Sequence, residues 1–130
     1  MLFYQNNNSR FDGEFIYGAD LMLEALKSLP DNIKIVWIDL SGEMKTKVLS
    51  YENVVLYSNQ AVDIPSLLFH IDLLVRPTLF DGSAFMIYES LLMSVPVLCS
   101  DVVERAEGVK LFTRSSGKNL SLEITGVLEA

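Results

Sequence analysis

Short, almost uninterrupted apolar runs alternate with helix-spaced stretches along the whole chain, and this alternation restricts the fold more than any other feature. Leu2 to Tyr4 is an apolar start fit for a first strand, and a polar, glycine-containing loop follows from Asn6 to Glu14. Over residues 15–29, the apolar positions Leu21, Leu23, Ala25, Leu26 and Leu29 give helical spacing, which Pro30-Asp31 ends. Residues 33–40 predict a strand, and Ser41-Gly42-Glu43 opens a polar helix that runs to about Ser50. Residues 53–57 predict another strand, followed by a loop over 58–63. Pro65 suits a first helical position, with Asp63 or Ile64 just before it and the helix reaching about Ile71. Residues 73–75, 96–99 and 109–112 predict further strands, and residues 120–128 a closing helix.

Strands that are apolar throughout, rather than at every second residue, belong to parallel sheets buried on both faces. The pattern therefore predicts an α/β fold: a doubly wound, Rossmann-like parallel sheet with helices on both faces. A chain of 130 residues is one domain, large enough to bury a core unaided. Half of its residues are apolar, so a globular domain is expected and disorder is not. No repeat, linker or low-complexity segment interrupts it. The net charge of -7 argues against a general nucleic-acid surface, which needs clustered Lys and Arg. The apolar runs are far shorter than a membrane-spanning helix, and Met1-Leu2-Phe3-Tyr4 is too short for a signal-peptide core. The single cysteine, Cys99, excludes an internal disulfide and reads as a small core residue. No residue cluster calls for a metal or other cofactor.

In an open parallel sheet, ligands bind beyond the carboxyl ends of the strands. The loops after Tyr4, Leu40, Tyr57, Val75 and Cys99 are thus the candidate site. Neither a Gly-x-Gly-x-x-Gly fingerprint nor a Gly-Lys-Ser/Thr phosphate loop is present, which weakens dinucleotide and NTPase readings. The informative segment is residues 76–101. There a strand ends at Arg76-Pro77, a loop carries Asp81-Gly82-Ser83, and a helix follows with Glu89 one turn inside. Free N–H groups over Gly82, Ser83, Ala84 and Phe85, at the mouth of that helix, favour an anion. An ionised Glu89 is acceptor-only and can take two hydroxyls. From spacing alone, the competing reading makes Asp81 a helix cap and Glu89 a solvated surface residue.

The flanks of the motif carry a resemblance. Asp72-Leu73-Leu74-Val75-Arg76-Pro77-Thr78, Asp81-Gly82, Glu89-Ser90-Leu91 and Ser94-Val95-Pro96-Val97-Leu98-Cys99-Ser100-Asp101 stand in order. This resembles the donor-binding C-terminal domain of retaining GT-B glycosyltransferases of the "group 1" type. The Arg-Pro-Thr-x-x-Asp-Gly form, with Val102-Val103-Glu104-Arg105 downstream, looks like a bacterial surface-polysaccharide subgroup. The resemblance implies that Glu89 holds the nucleotide ribose and Asp81 the transferred sugar. It also implies that the amides from Gly82 to Phe85 meet sugar or phosphate, and that Asn59 and Gln60 lie near the base. The donor would be a UDP- or GDP-linked sugar, with no separate cofactor.

Two departures qualify it. The family usually carries an Arg after the first strand and a Lys-Gly pair opening the next helix, where this chain reads Gln5-Asn6 and Tyr17-Gly18. Arg10, Arg76 or Arg105 could substitute. Arg76 is best placed, its structural alternative being an ion pair with Asp72 or Asp101. Enzymes of this family also bind the acceptor on an N-terminal domain, and nothing in these 130 residues supplies it. The only histidine, His70, falls on an apolar helix away from the predicted site. The expectation is a donor half that does not turn over alone and works with a missing N-terminal domain or partner subunit. Its complete form would be cytoplasmic, meeting the inner face of the membrane only through the absent domain. A catalytically inactive binding or interaction module derived from the same family is the alternative.

Overall fold

A computed structural model describes residues 1–81 and 84–129. In chain order the elements are β1 (Leu2–Gln5), β2 (Arg10–Phe11), β3 (Glu14–Phe15), α1 (Ala19–Leu26), β4 (Ile35–Asp39), α2 (Lys45–Val48) and β5 (Val54–Ser58). These are followed by α3 (Ile64–Leu68), β6 (Leu74–Arg76), α4 (Phe85–Leu92), β7 (Val97–Ser100), β8 (Lys110–Phe112) and α5 (Gly117–Leu128). A six-stranded sheet has the order β5-β4-β1-β6-β7-β8, with every neighbouring pair parallel. The doubly wound sheet expected from the apolar runs is present.

Period-two side-chain alternation divides the core into two layers. Phe3, Ile35, Trp37, Leu73, Val75 and Phe112 point to the layer of α1, α2 and α5. Leu2, Ile38, Leu74, Val97 and the buried, free Cys99 point to the layer of α3 and α4. Phe3 and Trp37 meet edge to face at 4.7 Å on adjacent strands, and both are fully buried.

The structure differs from the sequence expectation chiefly at three places, besides α3 ending at Leu68 and α5 starting at Gly117. Residues 10–15 form a β-hairpin inside the expected loop. Asp12 and Gly13 both take left-handed backbone angles, φ 50° and 80°, as a two-residue primed turn requires. The first helix consequently starts at Ala19, after a left-handed Gly18, rather than at Phe15. The second helix shrinks to Lys45–Val48 because the preceding residues wrap around Asp39. That buried carboxylate accepts from Ser41 N (3.1 Å), Ser41 Oγ (2.6 Å) and Met44 N (2.9 Å). Elsewhere the cap is as expected: Asp63 precedes α3 and accepts from Ser66 N.

Ser94 sits at φ 59° in the turn between α4 and β7, a conformation that glycine adopts without strain. A side chain there costs about 1 kcal/mol relative to an unstrained residue. Ser94→Gly should therefore raise the denaturation midpoint by a gain of about 0.5–1 kcal/mol, partly offset by the freer unfolded chain. Urea denaturation of the two proteins measures it.

Candidate functional site

From β1 the chain builds outward through β4 and β5, then returns to the other side of β1 and builds outward through β6, β7 and β8. The two directions part between β1 and β6, so their carboxyl ends frame a crevice at the topological switch point. The loop after β3 lies on the loop after β6, where Leu79 N donates to Ile16 O at 2.7 Å. Gly18 makes this approach possible. Its φ is +84°, and a Cβ on it would overlap the Pro77 carbonyl. Phe80 meets Phe11 of the hairpin edge to face at 5.0 Å and pins the hairpin beside the crevice. The resulting cavity, about 420 Å³, is lined by Tyr4, Tyr17, Arg76, Phe80, Asp81 and Ala84, together with Ile16.

Asp81 is the electrostatic centre. Its Oδ2 accepts from Arg76 Nε (3.1 Å), Arg76 Nη2 (3.1 Å), Arg105 Nη1 (2.6 Å) and Thr78 Oγ1 (3.3 Å). Oδ1 accepts from Arg76 Nη2 alone, at 2.9 Å, among the described residues. Arg105 is 3% exposed and also donates to Ser100 O, Ser100 Oγ and Thr78 Oγ1, which fastens the end of β7 to the loop after β6. Burial alone would push the Asp81 carboxyl up. The hydrogen bonds and charges of Arg76 and Arg105 outweigh it and hold the carboxyl below its ordinary value. Two guanidiniums against one carboxylate leave the cluster with a net positive charge. A second cavity of about 310 Å³ shares Asp81 and Ala84 with the first and is lined by Tyr88, Glu104 and Arg105 among others.

Asp81 does not cap α4. The N-cap position is Ala84, which makes no side-chain cap, and Phe85, 84% exposed, opens the helix. Gly82 and Ser83 lie outside the described residues. Glu89 sits one turn into α4, half-buried, and its carboxylate has no hydrogen-bond or ion-pair partner among the described residues. It lines neither cavity beside Asp81. The expected alternative for Arg76 needs correction: its partner is Asp81, not Asp72 or Asp101, because the strand end turns the guanidinium toward the loop. Asp101 instead accepts from Thr113 Oγ1 at 2.7 Å.

Asn59 and Gln60 are both exposed. Asn59 has φ 56°, and its amide nitrogen faces the carbonyls of Ser41 (3.0 Å) and Leu40 (3.3 Å), with the amide oriented by those bonds. Gln5 is turned into the fold, accepting from Trp37 Nε1 at 2.8 Å. Arg10 lies 4.4 Å over the Phe15 ring. His70 is exposed beyond α3 and lines a cavity of about 630 Å³ with Met1, Lys34 and Asp72, at the amino ends of the strands and opposite the crevice. Among the described residues, no helix is long and apolar enough to cross a membrane, and no cluster of three His, Cys, Asp or Glu is placed to hold a metal ion. Sequence reasoning passed over Tyr4 and noted Tyr17 only for the lysine it displaces. The signal available was position: Tyr4 stands near the end of the first strand, where crevice residues arise.

No protein-family model matches the chain, and no curated protein matches it in sequence. Solved structures do. HepE of Anabaena, crystallised with UDP-glucose, superposes with a TM-score of 0.71 at 21% identity, over 98% of this chain and 39% of its own. A glycosyltransferase from Rickettsia africae gives 0.73 at 11% identity, over 98% and 37%. WaaG, a glycosyltransferase involved in lipopolysaccharide biosynthesis, gives 0.75 at 20% identity, over 99% and 38%. At such identities the likeness is one of fold: the chain has the architecture of a GT-B half-domain. It spans just under two fifths of the length of these proteins.

Removing the shared counter-ion should be costly, because Asp81→Asn leaves two buried guanidiniums facing each other. A loss of about 3 kcal/mol is expected at neutral pH. Since the folded carboxyl lies below its unfolded value of about 4, the stabilisation is complete above that pH and is lost as pH falls through the folded value. Denaturation of both proteins across pH 2–7 should show the gap constant above the unfolded value and closing as pH falls from it toward the folded one.

Proposed function

We propose that this chain is the donor-binding half of a glycosyltransferase that moves a sugar from a nucleoside diphosphate to a glycan or lipid-linked acceptor, with retention at the anomeric carbon. The observation that carries this reading is the crevice between β1 and β6. It holds a guanidinium and a carboxylate at the entrance to α4, in a fold shared with a protein crystallised with UDP-glucose. The acceptor site would lie on a further domain or subunit, and the isolated chain would bind donor without turning it over.

Each residue has a task in this reading. Glu89, unpartnered and one turn into α4, accepts the two ribose hydroxyls. Asp81 offers the sugar its Oδ1 edge, since Oδ2 is consumed by the two arginines and Thr78. The backbone amides of Ala84 and Phe85, at the mouth of α4, face the anion, and Arg76 adds charge. When the acceptor hydroxyl oxygen bonds the anomeric carbon, the bond from that carbon to the diphosphate oxygen breaks, the nucleoside diphosphate leaves with the electron pair and takes up the hydroxyl proton, and the helix entrance and Arg76 stabilise it. Asn59 and Gln60 remain near the base through their loop rather than through a committed Asn59 side chain.

The second reading, a nucleotide-binding module without transfer, draws on one observation. β1 carries no basic residue, and Gln5 is turned onto Trp37, so the strand contributes no cation to the crevice. Calorimetry with UDP and GDP tests what both readings share. One nucleotide should bind, and Glu89→Ala should weaken it by about tenfold or more, the worth of hydrogen bonds to a charged group. Absence of any binding at millimolar nucleotide would remove both. Joined to its acceptor domain, the protein should yield a product of retained configuration; no transfer favours the second reading, and an inverted product defeats the first.

A further inference from the structure

We propose that the anion-binding set of the β1–β6 crevice is Tyr4, Tyr17 and Arg76: two neutral phenol donors and one guanidinium, built to take a diphosphate. This deepens the donor-binding reading and rests on it for the identity of the molecule that bears the anion. The anion site itself rests on the crevice.

Tyr4 is the polar side chain that β1 turns toward the cavity, because the neighbouring Gln5 is spent on Trp37, Asn7 and Asn8. Tyr17 is carried there by the close contact of Gly18 with Pro77. Arg76 directs Nε and Nη2 at Asp81, so Nη1 is the nitrogen that Asp81 leaves unused among the described residues. The three side chains line one cavity. They also sense one another: burial raises the Tyr4 phenol first, the Tyr17 hydroxyl raises it further, and Arg76 partly reverses the effect. Tyr4 therefore stays protonated at neutral pH and keeps its O–H to donate.

The charge balance explains why neutral donors suit this place. Arg76 and Arg105 already share a single carboxylate, and a third buried cation beside them would raise the desolvation and repulsion cost further. Phenol hydroxyls add hydrogen bonds to an anion without adding charge. Affinity should then depend less on ionic strength than it would with a two-cation clamp.

The probes are inorganic pyrophosphate, UDP and uridine, titrated into the wild-type chain and into Tyr4→Phe and Tyr17→Phe. Each substitution keeps the ring, and melting temperatures of the variants check folding. Each variant should bind pyrophosphate and UDP about tenfold more weakly, the worth of one hydrogen bond to a charged group, with uridine binding unchanged. If wild type binds UDP and neither variant changes pyrophosphate affinity, the inference is overturned and the donor reading stands. Equal losses for uridine and UDP would mean that the hydroxyls bond the nucleoside rather than the diphosphate, which also overturns it. Pyrophosphate binding that needs the tyrosines, with UDP held no more tightly than pyrophosphate, upholds the inference and overturns the donor reading. If the wild-type chain binds neither anion, both fall.

Discussion

The end of the sheet that bears the crevice is organised by one carboxylate shared between two nearly dry guanidiniums. Apolar packing places β6 and β7 side by side, but it is non-directional and does not fix how the loops beyond them sit. Asp81, Arg76 and Arg105 do fix it. Arg76 comes from a strand end, Asp81 from the loop before α4, and Arg105 from the segment after β7. Thr78 and Ser100 close the network through the Thr78 carbonyl, at 2.7 Å. A buried polar network in which each member has partners specifies one arrangement, since any displacement strands a charge. Rigidity at this end of the sheet is the precondition for everything assigned to the crevice.

How much of this could be read from the residues alone varies with the range of the interaction. The parallel sheet was legible because apolar runs such as 35–38 and 73–75 report burial on both faces locally. The Asp81–Glu89 spacing was legible for the same reason, being confined to one loop and one helix. The hairpin was overlooked although Asp12-Gly13 is a strong primed-turn signal. Its two-residue strands are too short to show alternation, and Gly13 looked like ordinary loop punctuation. What could not be read were the partners. Arg105 is 24 residues from Asp81, and only the completed β7 strand brings them together. Gln5 looked like an open position at a strand end until Trp37, on the neighbouring strand, took its amide oxygen. Asn59 looked available for a base until the β4–α2 loop claimed its amide.

The crevice illustrates how backbone geometry selects side chains. Gly18 is required by its contact with Pro77, and that contact decides which neighbour reaches the cavity. A phenol at position 17 arrives where a longer cationic chain would meet the Arg76–Asp81–Arg105 cluster. The substitution and the cluster are consistent parts of one charge arrangement rather than separate departures from a pattern.

The joint between the first and last helices has a consequence for biosynthesis. The Glu24 carboxylate of α1 accepts the N–H of Gly117 at 2.9 Å, and α1 and α5 pack together over the same sheet face. Sequence-distant contacts of this kind form late. While the chain is still on the ribosome, Leu21, Met22, Ala25 and Leu26 must wait for Leu120 and Ile124 before their layer can close. Until α5 emerges, the apolar residues that α1 packs against it lack their cover.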